Sequence, residues 1–257
     1  MRLWQMAAVL ALLPVIFLAE AAGQASFRIE SAGPPREEAP QELRNRLEAS
    51  GTRLFRIVNV IDIPLAELWW VKSLAVLSSG KTPVGAEYGE LTPGKLLAVL
   101  YLPAELEDVK NQKIPPGFYT LRYAQLNPEK DAHDGDHDKD DEEEDQKARE
   151  DEHKQSGGEY RDYVLLARLQ SDRPTHTYLK LPEMLKLSRQ VSLSKKPAML
   201  ALPALNPAYK AFPYAVSDDQ GHCAIQFKLP VQFASGKKSE MRIAILLVNP
   251  PNVSEED

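Results

Sequence analysis

The sequence has a single cysteine, Cys223, among 257 residues, so no disulfide can close within the chain and no cysteine framework staples the fold. It has no surplus of positive charge. Its 31 basic residues stand against 37 acidic ones, a net −6, which argues against a general nucleic-acid binder. It has no G-x-S-x-G elbow, no glycine-rich phosphate loop and no Cys-x-x-Cys pair, so no catalytic motif names a reaction. There is no internal repeat, and after residue 25 no apolar run approaches membrane-spanning length; Leu96 to Leu102 is typical of the longest. What remains is ordinary globular material, 43% hydrophobic and 26% charged, with ample apolar surface for a core.

The amino-terminal 25 residues read as an address. Arg2 supplies a positive start, and Met6 to Ala19 follows as 14 uncharged residues rich in Ala, Leu, Val and Ile. A bilayer core of about 30 Å needs roughly 20 helical residues, so this run is too short to span. Ala19-Glu20-Ala21 and Gly23-Gln24-Ala25 then offer small-residue cleavage sites, and the segment is expected to be a signal peptide cut near Ala21 or Ala25. The expected destination is the periplasm or the exterior, with no membrane span in the mature chain.

The rest of the chain is punctuated as strands. Residues 26–53, with Gly33-Pro34-Pro35 and many charges, read as a polar lead-in holding a short helix at Gln41 to Leu47. Leu54 to Ile61 reads as a strand. Glu67 to Leu77 suits either helix or strand, and Trp69, Trp70 and Val71 favour strand. Lys95 to Leu102 is another strand, closed by Pro103. Ile114-Pro115-Pro116-Gly117 is a turn that launches Phe118 to Tyr123, with Tyr119, Leu121 and Tyr123 on one face. Tyr160 to Leu169, Met199 to Leu202, His222 to Leu229 and Met241 to Val248 complete the strands. In His222 to Leu229 the alternation places Cys223, Ile225, Phe227 and Leu229 together, so the thiol is expected to be buried and inert. Glu183 to Val191 has helical spacing, with Pro182 and Glu183 suited to a helix start. About eight strands and one convincing helix predict a mainly β fold, an antiparallel β-sandwich. Residues 54–250 are expected to form one such domain, and 251–257 a disordered tail.

Of two adjacent tryptophans on a strand, one faces each side. An exposed one could stack on a sugar ring, as in a carbohydrate-binding module; the plainer expectation is that one fills the core and the other is covered by the lead-in or the helix.

The chemical oddity is acidic. From Glu129 to Lys154 there are fourteen Asp or Glu and five Lys or Arg, a net −9, leaving +3 on the remainder of the chain. Three of the five histidines, His133, His137 and His153, lie there. With almost no apolar residue the segment cannot offset its ordering entropy by burial, so residues 129–158 are expected to be a long disordered loop between two strands. His133, Asp134, Asp136 and His137 are the candidate metal ligands, suited to weak binding of a divalent cation. They match neither an EF-hand, where Lys130 and Ala132 would fall at ligand positions, nor a zinc protease helix. No other cofactor is implied. Asp162 and His222 could join a site only where the fold brings them together.

The stretch Asp108 to Tyr123 with its Ile114-Pro-Pro-Gly-Phe-Tyr-Thr-Leu core, followed by Asp134-Gly135-Asp136-His137 and Tyr160-Arg161-Asp162-Tyr163-Val164-Leu165-Leu166, resembles a layout in uncharacterised exported bacterial β-rich proteins. That resemblance implies a β-rich exported protein and no activity. The functional expectation is therefore a non-catalytic binding or interaction module in the periplasm or cell envelope, with a protein or glycan partner. Two alternatives stand beside it: a metal-dependent extracytoplasmic enzyme built on the His/Asp segment, and a carbohydrate-binding module.

Overall fold

The computed structural model describes residues 26–58, 61–76, 87–126, 162–172, 180–205, 212–217 and 223–247. The fold is mainly β, as the alternation predicts. Its larger sheet is seven-stranded and antiparallel. It runs in the order β1 (Ser26–Gly33), β2 (Gly51–Val58), β3 (Ile61–Trp70), β5 (Leu96–Leu102), β8 (Gly117–Gln125), β9 (Asp162–Arg168) and β10 (Met199–Ala201). The second sheet joins β11 (Tyr214–Ser217), β12 (Cys223–Phe233) and β13 (Lys238–Leu247), with β4 (Leu74–Val76) added parallel to the end of β12. β6 (Leu106–Glu107) and β7 (Lys113–Ile114) form a separate two-stranded ladder among the described residues. Two helices are described, α1 (Gln41–Arg44) and α2 (Leu181–Arg189).

The core lies where the inner faces of the two sheets meet. Cross-strand partners share a face, so the ladders Leu68–Leu100–Tyr119 and Trp70–Ala98–Leu121 define the inner side of the large sheet. Opposite them stand Cys223, Ile225, Phe227 and Leu229 of β12, the face expected from their alternation, all buried. Trp70 meets Phe227 across the gap, ring centroids 4.6 Å apart. The large sheet curls so that β1 approaches β11 at one edge and β10 approaches β13 at the other.

The outer face of the large sheet is covered in two places. Residues 34–50, including α1, bury Ala39, Leu43 and Leu47 in the same cluster as Trp69 and Val99. At the other end α2 sets Met184 into a second cluster with Ala124, Tyr163, Leu165, Met199 and Ala201. Pro and Glu183 in its first turn and Lys186 and Arg189 in its last suit a helix of this polarity.

Several expectations need correction. Residues 26–33 are not a lead-in but an edge strand. Phe27 and Ile29 pack against the core while Arg28 and Glu30 point away, a half-buried alternation that the density of charge obscures. The strand expected over Leu54 to Ile61 ends at Val58, and Ile61 already belongs to β3, paired back on Val58. β3 therefore starts six residues before Glu67 and carries Pro64, tolerated at an irregularity where Leu65 has no partner in the register. The run Glu67 to Leu77 is two strands, since the chain leaves β3 at Trp70 to reach the second sheet at Leu74. β11 was not expected, while α1 occupies the first turn of the short helix expected over Gln41 to Leu47.

Neither tryptophan is exposed: Trp69 is 1% and Trp70 6% accessible, which removes the stacking role considered for them. Trp70 fills the inner core. Trp69 faces outward beneath the amino-terminal arm, its indole N–H donating to the Gly33 carbonyl at 3.0 Å.

Candidate functional site

The four metal-ligand candidates His133, Asp134, Asp136 and His137 lie outside the described residues, as do His222 and the whole acidic stretch 129–158. Among the described residues no group of three or more His, Cys, Asp or Glu side chains is placed to hold a metal ion. The described chemistry is concentrated instead in four acidic side chains sunk into the framework.

Asp162, at the start of β9, is 2% exposed and accepts three hydrogen bonds. Its Oδ1 takes the Tyr123 hydroxyl at 2.6 Å, and its Oδ2 takes the backbone N–H groups of Glu87 at 2.7 Å and Tyr88 at 3.3 Å. The Tyr88 hydroxyl donates to the Pro203 carbonyl at 2.8 Å and accepts from the Ala244 N–H of β13 at 3.0 Å. The chain Tyr123–Asp162–Tyr88–Ala244 thus joins the two sheets. Burial is the main reason both phenols are pushed well above the ordinary tyrosine range, so neither ionises to act as a base.

Asp172 is held on the outer side of the large sheet by Arg122. The guanidinium forks onto it, Nε to Oδ2 at 2.7 Å and Nη2 to Oδ1 at 3.0 Å, and the Thr120 hydroxyl adds a bond at 2.5 Å. Arg122 Nη1 also donates to the Gly94 carbonyl at 2.8 Å. Both side chains are almost wholly buried, and such a pair persists only when its remaining donors and acceptors are met, as they are here.

Asp108, between β6 and β7, has no exposure. Its Oδ1 accepts from Lys110 N and Gln112 N at 2.8 and 2.9 Å, and its Oδ2 from Gln112 Nε2 and Met199 N at 3.0 and 3.1 Å. Burial raises its pKa above the ordinary aspartate value, and the backbone donors only partly offset that. Ser194 donates to the far end of Gln112, tying this turn to the segment before β10.

Glu67 lies in a cross-strand row on the outer face, Glu30–Arg53–Glu67–Tyr101–Phe118. Arg36 reaches it from the covering arm with two bonds of 2.9 Å, and Arg53 with one of 2.7 Å. The Arg36 guanidinium also stands 4.2 Å from the Tyr101 ring centroid. Burial works to raise the Glu67 pKa, but the bonds and charges of the two arginines outweigh it and hold the carboxyl below its usual range. Arg36, bonded to Glu67, is held above its own ordinary value. Neither group can therefore exchange a proton near neutrality. A shallow depression of about 610 Å³, lined by Arg36, Glu37, Glu38 and Arg53, opens beside them. Guanidinium edges and carboxylates offer hydrogen bonds and charge there, and these four lining residues include no serine, threonine, cysteine, lysine or histidine.

Sequence reasoning singled out Asp162 only conditionally and missed Asp108, Asp172 and Glu67. A signal existed for the last: one charge inside the apolar run Leu65-Ala66-Glu67-Leu68-Trp69-Trp70 needs a partner. Compared with protein-family models, curated proteins and solved structures, the chain matches none of them.

Proposed function

We propose that this protein is an exported, non-catalytic binding module that works outside the cytoplasm. The observation that supports it is the saturation of the four buried carboxylates. Asp108, Asp162, Asp172 and Glu67 each spend their oxygens on donors of the framework itself, so they act as fasteners between strands and not as groups held ready for a substrate. Working chemistry then falls to surfaces. The 25-residue leader supports the export part of the reading.

The test removes residues 130–154 and compares the variant with the full chain. The expected result is an unchanged cooperative thermal transition, with the secreted form beginning just after Ala21 or Ala25 by mass spectrometry. Metal-dependent turnover of ester, phosphoester or glycoside substrates by the full chain, abolished by the deletion, would overturn the proposal in favour of an enzyme using His133 and His137.

A further inference from the structure

The outer face of the four-stranded sheet carries a charge arrangement that folding alone does not favour. Lys228 of β12 and Arg242 of β13 are direct cross-strand partners. On an antiparallel pair such residues project side by side from the same face, and like charges there repel. Both cations lean on one ring: Lys228 Nζ lies 5.5 Å and the Arg242 guanidinium 5.2 Å from the centroid of Phe212. Glu240 pairs with Lys228 at 3.2 Å, through side chains 65% and 40% exposed. An ion pair so open to water offsets little of the repulsion.

The surrounding positions extend the same character. Alternation from Arg242 puts Glu240 and Lys238 on this face, so three cations stand there against one carboxylate, on a chain whose net charge is −6. Tyr214, 36% exposed, pairs with Gln226 in the next row of that face. Phe212, whose ring stands over Lys228 and Arg242, precedes Tyr214 by two residues in the chain.

We infer that this face binds an acidic polysaccharide, with Lys228 and Arg242 taking its carboxylates and Phe212 and Tyr214 packing against its sugar rings. An anion laid between the two cations turns their repulsion into attraction. Flat aromatic faces suit the C–H side of a pyranose. An acidic peptide would use the cations but has no comparable use for the two aromatic rings. The assignment rests on the binding-module reading and deepens it.

The experiment uses the full mature chain in affinity electrophoresis against polygalacturonate, with neutral dextran, polyglutamate and phosphatidylglycerol vesicles as the other arms. Retardation by polygalacturonate alone is expected. Lys228→Gln or Arg242→Gln should weaken it by roughly tenfold or more. Phe212→Leu should weaken it while leaving any residual polyglutamate binding unchanged. Arg242→Gln should at the same time raise the thermal midpoint, whereas a purely structural arginine would lower it. No retardation, equal retardation by polyglutamate, or preference for the vesicles overturns the ligand assignment and leaves the module reading standing. Release of reducing ends from the polysaccharide overturns both.

Discussion

Glu67 shows how one side chain can be read for its response to acid. Its carboxyl is held below the usual range by Arg36 and Arg53, so its contribution to stability is complete above the ordinary glutamate value of 4.5 and is lost as pH falls through the depressed one. Glu67→Gln keeps the shape but gives up the charge-assisted bonds, and should cost about 1–3 kcal/mol at neutral pH. That deficit should shrink as the solution is acidified below the glutamate range, where the wild-type carboxyl is itself being protonated. Urea midpoints of both proteins at neutral and acid pH measure this; a deficit independent of pH would show that packing, not charge, is what Glu67 supplies. The partners of such residues are far away in sequence. Tyr123 and Asp162 are 39 positions apart, and Arg122 and Asp172 are 50. A lone carboxylate in an apolar run announces that it has a partner, yet nothing local says which.

Among elements, those with clean alternation were legible. Tyr119, Leu121 and Tyr123 of β8 and the Cys223 to Leu229 face of β12 stand where period two puts them. β1 was hidden because its outer positions, Arg28 and Glu30, are charged and Gly33-Pro34-Pro35 follows at once, so composition outweighed pattern. The four-residue β11 is too short to show a period. Trp69 and Trp70 could be placed on opposite faces, but the burial of Trp69 depends on an arm more than twenty residues upstream and that of Trp70 on β12, far downstream. The helix α2 was legible from its spacing, and its role is now specific. Met184 sits 2% exposed over Tyr163, Leu165 and Met199, and Ser188 donates to the Ala198 carbonyl at 2.7 Å. Met184→Ala should destabilise by about 2–5 kcal/mol through the cavity it leaves. Hydrogen exchange should quicken in residues 181–189 and in β10 before it does in β2 and β3. Uniform quickening across both regions would mean that the small cluster is not a separate unit of stability.

At the scale of the whole molecule, the two sheets share a core and are pinned by the Tyr123–Asp162–Tyr88–Ala244 chain, so opening the interface means opening most of what the structure holds together. Cys223, with no exposed surface on the inner face of β12, reports that event. In native conditions its reaction with a thiol reagent should proceed no faster than global unfolding, and its midpoint in denaturant should coincide with that of tryptophan fluorescence. Labelling well ahead of unfolding would reveal a separate opening of the four-stranded sheet.

Gly51 and Trp69 are bound to each other by what is absent between them. A methyl group on Gly51 would stand 2.4 Å from the indole nitrogen and 2.7 Å from the Leu68 carbonyl. The missing carbon is what lets the indole slide under the first strand and grasp Gly33. The two positions are therefore free to drift only in concert: a chain that gained a side chain at the first would have to surrender the large ring at the second, and with it the tether of its own beginning.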